Sequence, residues 1–425
     1  MPRPATESIC IVTPHHLANN PRVIKEADAL QECNCVVTVI HGRYRKELFD
    51  EDDAIAHARS WLSVPVNWRR QPGSLLSSID VRLSRLLLRF IREPSLKLAM
   101  RAEHASIPAL SAAARGVRAG LYIGHTPSGL CAAAAGAHHA GTLLGFDAED
   151  YHPAETDAVV RSKVRQRGLD KIEWSLMPLC AYLTASSPMI ADEYVATRGV
   201  RRPSILLNTF PRSMGPSIQP RNRRVKNTER ARLYWFSQTI GRGRGLEPVV
   251  AILGRCRTPC DLFLRGTPER DFPEALKQIA SLAGFRGQIY FLPREPAESM
   301  VMLCSPFDLG LAVDLSTPAN RDFCLTNKIY TYLLAGLPVA YSTTKAQLSL
   351  GRALRSAGVK LDLEDPVKSA REIDAYFDSP VRQEKARDDA WTAGQFVYSW
   401  ETDKPIVVSE ADRALNEPFR ALPLT

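Results

Sequence analysis

Long apolar runs are missing from this 425-residue chain. No segment approaches the roughly 18 uninterrupted apolar residues that a membrane-crossing helix needs. The opening MPRPATESICIVTPHH has no apolar signal-peptide core and passes at once into strand-like sequence, so a cytoplasmic location is expected. Paired metal-binding cysteines are missing too. Cys256 and Cys260 have a CxxxC spacing, but no second Cys/His pair follows nearby, which argues against a zinc site. The nine cysteines are odd in number and lie mostly among apolar neighbours, as expected of buried free thiols in a reducing compartment. No basic module interleaved with aromatics is present, so nucleic acid is not an expected partner. What the chain does have is 45% hydrophobic and 24% charged residues, a globular balance, in a length that suggests two or three domains. Its formal net charge of +9 favours anionic partners such as nucleotides or acidic lipid headgroups.

The first half alternates strands with helices. Apolar Ser8 to Thr13 and Cys35 to Ile40 read as buried parallel strands, joined through a helix from Pro21 to Leu30. Further strands are expected at Gly120 to Ile123, Thr142 to Phe146, Ala181 to Ala185 and Ile205 to Leu207. The Pro-, Arg- and Asn-rich stretch 211–230 breaks the series and reads as a linker. A second α/β series then starts at Arg232. Residues 75–114 form a helical basic insert, in which Arg82, Arg85, Arg89 and Arg92 recur at spacings of three and four. That stripe has two readings: a solvated helix face, or an amphipathic helix lying on an anionic membrane.

The chemistry concentrates in two segments of the second half. In LTNKIYTYLLAGLPVAYS, Leu325 to Ser342, a polar loop delivers Lys328 to a helix start. Gly336 supplies the left-handed residue after the helix, and Pro338 prevents its continuation. In SQTIGRGRGL, Ser237 to Leu246, a glycine-rich loop with two arginines lies between a strand and a helix. Both suit a phosphate, since helix N-termini present free N–H groups and cations grip the oxygens. The second is not a dinucleotide fingerprint. That would require an acidic tip on the next strand, which here ends Leu264-Arg265-Gly266.

These segments resemble the nucleotide-sugar domain of GT-B glycosyltransferases, retaining family 4-like members in particular. The resemblance implies an α/β chain of two Rossmann-like domains facing a cleft, with a C-terminal helix crossing back to the first. The corresponding boundaries are 1–210, a linker 211–230, 231–395 and a crossover segment 396–425. It implies donor-binding roles for Ser237, Gly241, Arg242, Arg244, Gly245, Arg265, Gly266, Thr326, Asn327, Lys328 and Thr331. The family's usual acidic pair would fall at Phe323 and Thr331, and neither is acidic; Asp322 could replace the first by a one-residue shift. In the first half, NNPRVIKEADAL resembles the opening of bacterial members, which implies acceptor contacts from His15, His16, Asn20 and Arg22, with Lys25, Glu26 and Asp28 on the face of an amphipathic helix. His125 resembles the cleft histidine, and Asp147, Glu149 and Asp150 the acidic strand tip, so these four are the catalytic candidates; a helix N-cap cluster is the alternative for the acids. The implied activity is transfer of a sugar from a nucleoside diphosphate sugar to a glycan, lipid-linked or small-molecule acceptor. No cofactor and no metal are expected, because the cationic loops would neutralise the diphosphate. A nucleotide-sugar epimerase or hydrolase and a non-catalytic binding homologue are the alternatives. A peripheral contact with the inner face of the membrane accompanies the second reading of the arginine stripe.

Overall fold

The computed structural model describes residues 7–69, 74–155, 163–219 and 230–424; positions 220–229 of the expected linker lie outside these. The chain divides into two compact units, 1–206 with 404–425 and 207–403. In unit 1 the order is β1 (Ser8–Thr13), α1 (Pro21–Glu32), β2 (Val36–Gly42), α2 (Phe49–His57), β3 (Leu62–Val66), α3 (Ser74–Phe90), α4 (Leu96–Glu103), α5 (Ile107–Arg115), β4 (Leu121–His125), α6 (Thr126–Ala140), β5 (Leu143–Ala148), α7 (Lys163–Leu176), β6 (Cys180–Ala185), α8 (Pro188–Arg198) and β7 (Ser204–Ile205). Its described strands form one sheet of order β3-β2-β1-β4-β5-β6-β7, every pairing parallel. A parallel sheet is covered on both faces, which is why β1, β4 and β6 read as continuous apolar runs and are buried almost throughout.

Unit 2 repeats the scheme with β8 (Ala231–Ile240), α9 (Leu246–Leu253), β9 (Cys260–Pro268), α10 (Phe272–Leu282), β10 (Ile289–Leu292), β11 (Leu309–Ala312), α11 (Asn320–Phe323), α12 (Asn327–Leu334), β12 (Val339–Ser342), α13 (Lys345–Ala353), β13 (Gly358–Leu361), α14 (Pro366–Phe377) and α15 (Pro380–Phe396). The sheet order is β10-β9-β8-β11-β12-β13, again parallel. Its core gathers Leu233, Trp235, Leu262, Leu311, Ala340 and Ile373. Both sheets carry the doubly wound order, in which the chain reverses direction beside the first strand. Ligands gather at the carboxyl ends of the strands flanking that reversal, here β1 with β4 and β8 with β11.

The last helix, α16 (Trp400–Leu415), begins in unit 2 and ends in unit 1. At its start the Trp400 N–H donates to the Phe210 carbonyl at 2.9 Å, and the Thr209 hydroxyl donates to Asp403 at 2.5 Å. At its other end the Glu410 carboxylate accepts from the Leu183 N–H and the Ser204 hydroxyl, both at 2.9 Å, and pairs with Arg413 at 2.8 Å. The units therefore change over at 206/207 and 403/404, and α16 is one uninterrupted helix across the second change. All nine cysteines are free thiols. No helix among the described residues is long and apolar enough to cross a membrane.

The insert differs from its expected form. It is three helices, α3 to α5, and the arginines do not make one stripe. Arg85, though exposed, is tied back to the end of α4, its guanidinium donating to the carbonyls of Ala102 at 2.8 Å and Glu103 at 2.6 Å. The outward face of α3 is instead apolar: Leu76, Ile79, Leu83, Leu86, Leu87 and Phe90 are exposed, Leu76 to 70% and Phe90 to 82%. Arg82 and Arg89 flank that face on α3, and Arg92 lies just beyond its end.

Candidate functional site

At the reversal in unit 2, β8 leads into the loop Gly241 to Gly245. Gly243 and Gly245 have φ of 67° and 78°. Gly245 is the N-cap of α9, a left-handed position that an L side chain disfavours, so no side chain covers the first N–H groups of that helix. α12 starts likewise, from Thr326 without a side-chain cap. Its far end follows the sequence reading, with Gly336 at φ 70°. Arg321 ties the two segments together by donating from Nη1 to the Gly243 carbonyl.

Lys328, half-buried, donates to the Thr326 hydroxyl at 3.3 Å, and its Nζ lies 5.4 Å above the Trp235 ring. Among the described residues the carboxylate that acts on it is Asp314, which follows β11 and accepts from Gln347 Nε2 at 3.0 Å. Burial lowers the Lys328 pKa; Asp314 opposes the shift, and Arg244 and Arg321 reinforce it. Burial raises the Asp314 pKa against Lys328, Arg321 and Arg244, in that order. Three cations thus share one half-buried carboxylate, and the excess positive charge lies beside two uncapped helix starts. That is the electrostatic complement of a phosphate group.

Not every expected donor residue joins this group. The Arg265 guanidinium is spent on the Tyr234 hydroxyl and the Pro293 carbonyl, both at 2.9 Å. Gly266 is an internal packing position, where a Cβ would lie 2.2 Å from the Ser237 carbonyl oxygen. Thr331 is 1% exposed and donates to the Asn327 carbonyl at 3.1 Å, the back-bond typical of a helical threonine, so it presents no group to a ligand. Asp322 does not substitute for Phe323 either. Its carboxylate accepts from the Lys345 N–H at 2.8 Å and pairs with the Lys345 ammonium at 3.3 Å. Gly241 packs against Glu269, whose carboxylate accepts from the Arg242 N–H at 3.4 Å. The Arg242 and Arg244 side chains and Asn327 are exposed. Asp314, Arg321 and Trp235 were missed. An acidic residue ending the apolar run FDLGLAVD was the available signal for Asp314.

Unit 1 holds a different device. His125 at the tip of β4 is fully buried, its Nε2 2.5 Å from Glu26 and its Nδ1 3.2 Å from Asp147. Arg22 grips the same Asp147 with Nε at 2.5 Å and Nη2 at 2.7 Å, and donates from Nη1 to the Leu206 carbonyl at 2.7 Å. Thr184 donates to Asp147 at 2.5 Å, and Tyr182 donates to Glu26. Burial alone would push the His125 pKa down, but Glu26 and Asp147 outweigh it and raise it to about 10. Burial would raise Asp147; Arg22 and then His125 outweigh it and hold the carboxyl well below its usual range. The result is a charge-balanced quartet of two cations and two anions clamping α1 to the tips of β4, β5 and β6.

The expected catalytic residues His125 and Asp147 and the expected acceptor residue Arg22 thus lie in buried ion pairs, and the burial of Glu26 corrects its amphipathic-surface reading. All four are buried and paired with one another, His125 Nδ1 through charge alone, because Arg22 and Glu26, one helical turn apart, both face inward. Asn20 is likewise structural: its side chain accepts from the Val23 N–H at 3.3 Å as the N-cap of α1 and donates to Thr13 at 3.2 Å. His16 is also taken. Its Nε2 accepts from the Tyr44 and Arg45 N–H groups at 2.9 Å, which requires the ring proton on Nδ1, 2.5 Å from Asp52. Glu149 and Asp150 are half-buried beyond β5, and burial raises the Glu149 pKa. His15 alone of the expected acceptor residues opens onto a cavity, about 420 Å³ in volume, at the reversal between β1 and β4. Among the described residues no three His, Cys, Asp or Glu side chains come together as a metal-ligand set.

No family model matches this chain, and no curated protein does. Solved structures do. HepE of Anabaena in complex with UDP-glucose is similar with a TM-score of 0.65 and 14% identity, over 95% of this chain and 99% of that one. Sucrose-phosphate synthase from Thermosynechococcus elongatus is similar with 0.68 and 10%, over 96% and 98%. WaaG, a glycosyltransferase involved in lipopolysaccharide biosynthesis, is similar with 0.58 and 11%, over 94% and 98%. With its two doubly wound sheets and returning last helix, the chain has the GT-B fold.

Proposed function

We propose that the protein is a glycosyltransferase that moves a sugar from a nucleoside diphosphate sugar to an acceptor, with retention of anomeric configuration. Unit 2 takes the donor and unit 1 the acceptor. The observation that carries this reading is the excess of cationic charge at the β8/β11 reversal, where Lys328, Arg244 and Arg321 surround Asp314 beside the starts of α9 and α12. In the reaction the bond from the anomeric carbon to the β-phosphate oxygen breaks, and the diphosphate leaves with the electron pair. The acceptor hydroxyl oxygen forms the new bond, and its proton passes to the departing phosphate. Cations and helix N–H groups aimed at the charge that develops on the leaving group lower the barrier, by about 3 kcal/mol for each well-placed donor. Retention is supported by the likeness of Thr326 to Val339 to retaining enzymes.

The test is a thermal-shift panel of nucleotides and nucleotide sugars, followed by turnover with the stabilising donor and detection of the glycosylated product by mass spectrometry. Product appearing only with acceptor supports transfer. Consumption of donor without acceptor would assign a hydrolase or epimerase, and binding without turnover a non-catalytic homologue. Turnover is expected to persist in excess chelator, since side chains supply the positive charge. Activity abolished by chelation and restored by magnesium or manganese would overturn that expectation.

The unpartnered apolar face of α3 with its flanking arginines supports a peripheral contact with an anionic lipid surface. Apolar side chains enter the headgroup boundary, and each nearby basic residue adds about 1 kcal/mol. Wild-type protein is expected to sediment with liposomes containing phosphatidylserine, less so at high salt. Arg82→Gln/Arg89→Gln/Arg92→Gln and Leu83→Ser/Phe90→Ser variants should each lose that sedimentation. Equal sedimentation of wild type and both variants would overturn the contact.

A further inference from the structure

The cavity at the β1/β4 reversal lies wholly within unit 1, and its volume of about 420 Å³ is that of a small-molecule site. One wall is aromatic. Tyr44 and Trp68 lie 5.6 Å apart, and the His104 ring meets Trp68 edge-on at 5.1 Å. The Tyr44 wall is held from behind by His16, whose Nε2 binds the Tyr44 N–H and whose ring lies 4.6 Å from the Tyr44 ring. The Arg69 guanidinium sits over both aromatics, 5.1 Å from the Trp68 ring and 5.3 Å from the Tyr44 ring. It has no carboxylate partner among the described residues.

The rest of the lining is polar and incompletely satisfied. His152 lines the cavity and is 5% exposed; its Nδ1 is bound to Glu155 at 2.9 Å, while its Nε2 is buried with no hydrogen-bond partner. Burial alone would lower the His152 pKa, but Glu155 outweighs it and raises it to about 9, so the orphan Nε2 carries a proton at neutral pH. The Thr126 hydroxyl, at the first position of α6, is also buried without a partner, and Thr126 holds a left-handed φ of 63°, a strained backbone for a β-branched residue. Arg165 reaches the rim, 3.8 Å from Glu103 and half-exposed. Buried donors left unsatisfied cost stability unless a ligand completes them. Two such donors lining one cavity, Thr126 at the start of α6 and His152 beyond β5, together with an arginine that has no carboxylate partner among the described residues, ask for an anion. The aromatic wall beside them asks for the apolar face of a sugar ring.

We propose that this cavity binds a sugar carrying a carboxylate or a phosphate ester. The ring lies against Trp68 and Tyr44, and the anionic group is received by Arg69, Arg165, His152 Nε2 and the first turn of α6. That this sugar is the glycosyl acceptor rests on the transferase reading above; that the cavity binds an anionic sugar does not.

The test is saturation-transfer NMR and calorimetry on the full chain with glucose, glucuronate, glucose 6-phosphate and inorganic phosphate as probes. At least one anionic sugar is expected to bind tenfold or more tightly than glucose. Glucuronate alone would name the carboxylate, and glucose 6-phosphate alone the phosphate. Arg69→Gln, an exposed position that leaves the core untouched, should weaken that binding about tenfold to a hundredfold, the loss of one charge-assisted contact. Trp68→Ala should remove the saturation transfer to the ring protons. Equal binding of glucose and both anionic sugars, or of wild type and Arg69→Gln, overturns the proposal. Inorganic phosphate binding as tightly as the sugar phosphate overturns the sugar part of it. UDP titrated into the same samples separates the two readings: a cavity that fails while UDP still binds leaves the transferase reading standing.

Discussion

Asp147→Ala is expected to destabilise unit 1 by about 3–5 kcal/mol, the cost of breaking a buried ion pair by removing one partner. The carboxylate, fully buried, accepts both Arg22 bonds and the Thr184 hydroxyl and lies 3.2 Å from His125. Its loss leaves two buried cations with only Glu26 and the more distant Glu149 to balance them. Urea unfolding followed by circular dichroism should show the unit 1 transition moved to lower denaturant. With two units the curve need not be two-state, so the early transition is the quantity to read. A loss under about 1 kcal/mol would contradict the quartet. The same network sets a pH window. His125 has a raised folded pKa, so its contribution is complete below the ordinary histidine value near 6.5 and is lost as pH rises through about 10. Asp147 has a depressed folded pKa, so its contribution is present above about pH 3.9 and is lost only as pH falls below that toward its folded value. Unit 1 should therefore weaken on the alkaline side as pH approaches 10, and Glu26→Gln, which takes one anion from His125, should bring that weakening to lower pH.

The second large effect is on the donor. Lys328→Ala and Arg244→Ala are each expected to weaken nucleoside diphosphate binding about tenfold to a hundredfold, because one charge-assisted contact is worth about 1.5–3 kcal/mol. The losses should not add fully. The two cations repel one another while sharing the same Asp314, so removing one relieves repulsion on the other. Calorimetry with UDP and GDP on the two single variants and the double variant reads both the magnitudes and the coupling. Unchanged affinity in both singles, with circular dichroism intact, would remove the phosphate from this loop pair. Asp314→Asn sharpens the test in the opposite direction. It leaves the three cations without their carboxylate, so the empty protein should lose stability while its affinity for a diphosphate rises.

What could be read from the sequence was local or periodic. The segment around Lys328 was legible because glycine and proline punctuate it: Gly336 can only serve as the residue after a helix and Pro338 can only stop one. The glycine loop was legible for the same reason, and its placement between β8 and α9 follows from the apolar run before it. The strand alternation fixed the doubly wound architecture, since near-continuous apolar strands joined by amphipathic helices pack as a parallel sheet. The quartet was not legible. Arg22 and Glu26 carry an ordinary surface-helix pattern, and only the arrival of His125 and Asp147 from distant strands turns that face inward. Charge type suggested function for His125 and Asp147, whereas burial gave them to the core. The cavity was missed for a related reason. Tyr44, Trp68 and Arg69 belong to no motif of the sequence, and they meet His152 only after the sheet has formed. Asp314 marks the middle ground, an acidic residue closing an apolar strand that the sequence displays but that carries no meaning until Lys328 is beside it.

The crossing helix also sets an order of events in synthesis. Unit 2 is an insertion within unit 1, and Glu410, which caps the Leu183 N–H and binds Ser204, is translated after every residue of unit 2. A nascent chain therefore completes its second sheet while the first still lacks its closing helix. β6 and β7 are made with their partner still absent, and the backbone donor of Leu183 waits for a carboxylate encoded after the whole of unit 2. Domains that fold as units during translation usually finish in the order they are made. In this chain the unit begun first is finished last.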